Sequence, residues 1–144
     1  MSFYKKISFL RPLHWVKNFL CFSGLIFGGR LFNLESVLSS FALFIIFSLI
    51  SSSIYIFNDI TDRKLDQYHP KKKYRLIASG KLSIRKAYFI LFLIISISLI
   101  FSYHLSINVF FIIIFYIING ITYTLIFKHL PIIDIITIGI GFVL

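Results

Sequence analysis

Residues 58–86 read NDITDRKLDQYHPKKKYRLIASGKLSIRK, and the rest of the chain is read from this stretch. It holds three of the five acidic residues and nine of the fifteen Lys and Arg, with long apolar runs on either side. Asp59, Asp62 and Asp66 are spaced i, i+3, i+7. At roughly 100° per residue, that spacing puts all three on a helical stripe about 60° wide, bordered by Asn58. Carboxylates stacked on one face repel one another unless a cation sits among them. Their hard oxygens suit Mg²⁺, which keeps several waters and takes further ligands from a phosphorylated substrate. Beyond a helix-ending His69-Pro70 break comes a basic run, Lys71, Lys72, Lys73 and Arg75. Metal-binding carboxylates beside clustered cations make a diphosphate site, where metal and cations neutralise a leaving group and the lipid phase excludes water. The alternative is a solvated loop whose charges only set topology. Acids in phase at the end of an apolar helix favour the site.

Outward from that stretch, the composition is that of a membrane protein. The chain has 144 residues, 58% of them hydrophobic, and a mean hydropathy of +0.92, against roughly 45–50% apolar in soluble domains. The net charge of +10 clusters beside apolar spans instead of forming a soluble basic face, so topology and phosphate binding explain it better than nucleic acid does. The expected fold is an all-α, polytopic transmembrane helix bundle. Its spans lie at about 16–32, 37–57, 84–103 and 107–127, with a partial one at 131–144 and a loop at 58–83. Fourteen residues make about 21 Å of helix, too short to cross, so the chain is expected to be truncated within an element.

The N-terminus and the loop are basic and the 104–108 link carries no Lys or Arg. The positive-inside rule then puts the N-terminus, the acidic stripe and Lys128 on the cytoplasmic side of the cytoplasmic (inner) membrane. Trp15 reads as an interfacial anchor. Lys17 either snorkels to the interface or meets a substrate. Gly24 and Gly28 form a G-x-x-x-G pair that lets another helix approach. Ser48, Ser51, Ser52 and Ser53 have no accompanying base and read as packing residues. Cys21 is alone, which excludes an internal disulfide. His14, His69, His104 and His129 show no metal-ligand spacing and read as interfacial or structural. Asp134 reads as a helix cap, with a buried functional carboxylate as the alternative.

Asn58, Asp59, Asp62 and Asp66 stand as N-D-x-x-D-x-x-x-D, which resembles the first signature of the UbiA-type membrane prenyltransferase family. The continuation HPKKKYRLIASG is similar to the H-P-x-K-x-x-R-P-I-A-S-G of the decaprenyl-phosphate phosphoribosyltransferase branch, with Leu76 in place of its proline. RPLHWVKN at 11–18 and YTLIFKHLPIID at 123–134 also look like that branch. The resemblance implies an all-helical fold of about nine spans and a second Asp-rich motif in a later half. It implies that Asn58, Asp59, Asp62 and Asp66 hold Mg²⁺ and the donor diphosphate, with Asp59 and Asp62 catalytic. Lys72 and Arg75 would contact phosphate, and Lys17 and Lys128 are further candidates.

The implied reaction moves 5-phosphoribose from phosphoribosyl pyrophosphate to a polyprenyl phosphate, a membrane lipid. The family's other chemistry, prenyl transfer from a prenyl diphosphate to an aromatic acceptor, shares the acidic motif. From a different class, the chain could be a non-catalytic remnant, or a half-subunit that pairs with a second polypeptide supplying the later half. Few charges lie within the spans, which argues against a channel or transporter.

Overall fold

The computed structural model describes residues 8–126 and Lys128; the expected element at 131–144, with Asp134 and His129, lies outside them. Among the described residues the regular structure is all helical. A 3₁₀ turn at Ser8–Leu10 leads into a long 3₁₀ helix, Pro12–Phe22, and then the short α1, Ser23–Phe27. Helix α2 spans Leu34–Thr61 and is followed by α3, Arg63–Tyr68, and a 3₁₀ turn at Lys72–Tyr74. Helices α4, Ile84–Leu105, and α5, Ile107–Leu125, complete the bundle. Among the described residues, α2, α4 and α5 are the three helices long and apolar enough to cross a membrane. Helix α2 sits centrally, touching the long 3₁₀ helix, α4 and α5.

The element ends follow local chemistry. Asn33 caps α2 by accepting from Ser36 N at 2.9 Å, and Glu35 in the first turn suits the positive end of the helix dipole. At 28 residues, α2 is about 42 Å long, well beyond a hydrocarbon core of roughly 30 Å. The excess is about two turns of helix, and Asn58 and Asp59 lie in the last turn. α4 and α5 are joined through the single extended residue Ser106, which ends one helix and caps the next.

The first apolar run departs from the expected continuous span at 16–32. Eleven residues of 3₁₀ helix followed by five of α-helix cover roughly 30 Å, because a 3₁₀ residue rises about 2.0 Å against 1.5 Å. The run is not among the three membrane-length helices. Among the described residues no helix packs on the G-x-x-x-G pair. A Cβ on Gly24 would meet nothing within 4 Å, while Gly28 closes α1, its amide bonded to Gly24 O at 3.0 Å.

Close helix approach occurs instead at Gly120 of α5. A Cβ there would lie 2.5 Å from Ile54 Cδ1 on α2 and 2.9 and 3.0 Å from Cγ1 and Cγ2. A rotamer change cannot clear all three atoms, so Gly120→Ala should destabilise the bundle by about 1–3 kcal/mol. Thermal unfolding in detergent checks this. In an Ile54→Ala background the same change should be nearly free, a coupling that a double-mutant cycle reads directly.

Two apolar clusters organise the interior. Ile46, Ile50 and Ile113 join α2 to α5 at mid-depth. Ile56, Ile77 and Ala87 join α2, the 69–83 loop and α4 beneath the charged stretch, with Phe9 and Leu10 packed against them. The second cluster holds the loop and the N-terminal segment at one end of the bundle.

Candidate active site

Asp59, Asp62 and Asp66 keep the helical phase that their spacing predicts. The i→i−4 bonds run on through the kink at Asp62: Asp62 N donates to Asn58 O at 2.9 Å and Asp66 N to Asp62 O at 2.8 Å. Asp59 and Asp66, seven residues apart, differ by only about 20° around the axis. They share one partner. Arg75 Nη1 donates to Asp59 Oδ1 at 3.1 Å and to Asp66 Oδ2 at 2.7 Å. Asp62, about 60° further round, pairs with the Lys128 ammonium instead. The two aspartates on Arg75 are 5% and 2% exposed, so their charges depend on that partner.

Asp59 Oδ1 also accepts from Arg11 Nη2 at 2.6 Å. Arg11 precedes the 3₁₀ helix with φ 51° and ψ 56°, a left-handed conformation costing a non-glycine residue about 1 kcal/mol. Its guanidinium lies 4.6 Å from the centre of the Tyr55 ring.

The 3₁₀ helix repeats every three residues, so residues at i, i+3 and i+6 share a face. Arg11, His14 and Lys17 all meet Tyr55: the His14 ring is 5.1 Å away between centroids and Lys17 Nζ is 5.7 Å from the ring centre. Trp15 and Asn18 face α2, with Trp15 Nε1 donating to Ser52 Oγ at 2.9 Å and Asn18 Nδ2 to Ser48 Oγ at 3.0 Å. Leu13, Val16 and Phe19 make the exposed third face. An α-helix would fan Arg11, His14 and Lys17 across about 120°. Trp15 is thus a packing residue hydrogen-bonded to α2, and the serines serve the packing role expected of them.

These groups border a cavity of about 650 Å³, lined among others by Arg11, His14, Asp59, Lys71, Arg75 and Lys81. That volume is within the usual range of small-molecule sites, about 300–1,000 Å³. Burial, with Arg11 and Lys17 nearby, holds the His14 imidazole below its usual 6.5, so His14 is neutral at neutral pH and the positive charge comes from Arg and Lys.

The predicted residues fall into three groups. Asp59 and Arg75 meet at the cavity, with Asp66 on the same guanidinium. Asp62 and Lys128 pair beside them. Asn58, Lys72 and Lys17 are half-buried and do not line the cavity. Lys72 lies in the short 3₁₀ turn, its amide bonded to His69 Nδ1 at 3.2 Å, and its neighbour Lys71 takes the lining position instead. His69 is structural, as expected. Lys71 belongs to the basic run expected to bind phosphate, whereas Arg11, His14 and Lys81 are site residues that the sequence motifs do not indicate. For Arg11 and His14 the available signal was the three-residue spacing of R-P-L-H-W-V-K.

Among the described residues no three His, Cys, Asp or Glu side chains converge as a metal-ligand cluster. Each aspartate instead makes its ion pairs through one oxygen. The donor chemistry still fits a hard divalent cation. A single guanidinium nitrogen bridges two carboxylates, and three carboxylates share one helical stripe.

The sequence pattern of the UbiA prenyltransferase family matches residues 18–144. The chain is 34% identical over 142 residues to a decaprenyl-phosphate phosphoribosyltransferase of Corynebacterium glutamicum, covering 96% of this chain and 43% of that protein. It is 31% identical to the protein of that name from Mycolicibacterium smegmatis, over 96% of this chain and 45% of the relative. It is also 42% identical over 73 residues to nodulation protein NoeC of Azorhizobium caulinodans, covering 51% of this chain and 24% of that protein. The chain spans less than half the length of these curated relatives. With three membrane-length apolar helices and a match over most of its length, this integral membrane protein belongs to the UbiA prenyltransferase family.

Proposed function

We propose that this chain forms the donor-binding part of a Mg²⁺-dependent membrane transferase that moves 5-phosphoribose from phosphoribosyl pyrophosphate to a polyprenyl phosphate. The observation that carries the reading is Arg75 bridging buried Asp59 and Asp66 on the wall of a cation-lined cavity. The names of the relatives support the choice of donor. The basic 58–86 stretch would face the cytoplasm across the inner membrane.

Asp59, Asp62, Asp66 and Asn58 would hold Mg²⁺, which supplies charge neutralisation for the leaving diphosphate. The chain's own residues do the remainder. Arg11 and Arg75 are placed to bind diphosphate oxygens as the bond from the anomeric carbon to pyrophosphate breaks and its electron pair leaves with the phosphate. An oxygen of the lipid phosphate forms the new bond. That oxygen is already anionic, so no general base is required. Phe9, Leu76 and Ile77 give the cavity an apolar wall that limits water competing with the lipid phosphate.

The test is equilibrium binding of both donor types to the purified chain in lipid nanodiscs, followed by transfer of label to polyprenyl phosphate. Phosphoribosyl pyrophosphate should bind only with Mg²⁺ and lose its affinity in EDTA. Equal or better binding of a prenyl diphosphate would move the assignment to aromatic prenylation. Transfer that appears only with a second polypeptide carrying the later Asp-rich motif would define this chain as the donor-binding half.

A further inference from the structure

We propose that Lys71 and Lys81 form a second anion subsite in the same cavity, one that takes a phosphomonoester. The inference rests on the reading of the cavity as a diphosphate-donor site and extends it to a second anionic group on the substrates.

Among the described residues four cations line the cavity, and they divide into two pairs. Arg11 and Arg75 are engaged with Asp59, and Arg75 also with Asp66. Lys71 and Lys81 are exposed to the cavity and have no carboxylate partner among the described residues.

Both lysines sit on ordered backbone. The Lys71 amide donates to His69 Nδ1 at 3.2 Å. Lys81 follows Gly80, whose φ of 75° suits a residue without a Cβ. That turn is closed by Ser79 N to Arg75 O at 2.8 Å and Leu82 N to Leu76 O at 2.9 Å. Buried Ile77 anchors it to α2 and α4. The loop thus holds two ammonium groups at the cavity that no carboxylate among the described residues pairs with.

A prenyl diphosphate has one anionic end, which the arginines and the acidic stripe accommodate. Its apolar tail gains nothing from two further cations, and an aromatic acceptor gains little. A phosphoribosyl donor carries a phosphomonoester away from its diphosphate, and a polyprenyl phosphate ends in one. Both sources share the chemistry that Lys71 and Lys81 recognise.

The test uses the full chain in nanodiscs with Mg²⁺ and salt at about 0.15 M, where distant charges are screened. Ribose 5-phosphate, farnesyl phosphate and inorganic pyrophosphate are titrated as separate probes. Lys71→Ala/Lys81→Ala should weaken at least one phosphomonoester by about tenfold or more, since each close charge pair at a wet surface contributes about one to a few kcal/mol. Pyrophosphate affinity should change by less than about twofold. Loss confined to ribose 5-phosphate assigns the subsite to the donor, and loss confined to farnesyl phosphate assigns it to the lipid acceptor. Equal weakening of all three probes, or no change in any, overturns the subsite. Failure of the donor reading would show separately, as phosphoribosyl pyrophosphate binding without Mg²⁺ dependence while the lysine effect on phosphomonoesters persists.

Discussion

Arg75→Ala should weaken binding of the diphosphate donor by about 30-fold or more, in line with the roughly 2–5 kcal/mol lost when one partner of a buried, hydrogen-bonded charge pair is truncated. The same change should lower the stability of the bundle. Asp59 and Asp66 are almost wholly buried, and Arg75 Nη1 touches both. Removing one partner of a buried ion pair typically costs about 3–5 kcal/mol, because the remaining charge has neither water nor a counter-ion. The Arg75 side chain is itself 26% exposed, which places the expected loss at the low end of that range. Added Mg²⁺ should recover more of the melting temperature in Arg75→Ala than in the unaltered chain, since a divalent ion can take the place the guanidinium leaves. Donor affinity within twofold of the original, or a melting curve indifferent to Mg²⁺, would remove Arg75 from the site.

The second large effect is expected at the aspartates. Asp59→Ala and Asp62→Ala should each abolish Mg²⁺-dependent donor binding while leaving membrane insertion unchanged, because neither changes the apolar face of α2. Stability separates the two. Asp59 accepts from both Arg11 and Arg75, so its loss leaves Arg11 without its carboxylate, leaves Arg75 with Asp66 alone, and frees the start of the 3₁₀ helix. A loss of about 3 kcal/mol is expected. Asp62 is 18% exposed and pairs among the described residues with Lys128 alone, so its loss leaves one partly buried cation unpaired and should cost about 1–2 kcal/mol. Calorimetric titration with and without EDTA, alongside melting curves, reads both quantities. If both variants keep Mg²⁺-dependent binding, the acidic stripe is not the metal site.

The stripe was legible because it needs only the α-helical angle: Asp59 and Asp66 share a guanidinium and Asp62 turns away, as their phases require. The long apolar helices were legible from their composition, and α2 was expected at 37–57 where it runs Leu34–Thr61. The first apolar run was not legible, because hydropathy does not distinguish a rise of about 1.5 Å from one of about 2.0 Å. The 3₁₀ repeat is stabilised by Trp15 and Asn18 reaching the α2 hydroxyls, contacts made with residues thirty or more positions away. Arg11 and His14 stayed outside the expected site for the same reason. Lys71 and Lys72 could not be ranked from sequence. Which of the two faces the cavity depends on the turn that the His69 ring makes with both backbone amides.

The three-faced 3₁₀ helix also bears on how this sequence can change over time. Loss or gain of one residue between Arg11 and Asn18 would rotate everything beyond it by about 120°. Asn18 would swing off Ser48 and Lys17 off Tyr55 together, with no local repacking able to restore both. The outward positions Leu13 and Val16 can exchange for other apolar side chains without disturbing either inner face, whereas the Phe19 ring packs 4.9 Å from that of Phe44 on α2. Lineages of this protein should therefore drift freely in the letters at those two positions and hold the count of residues fixed.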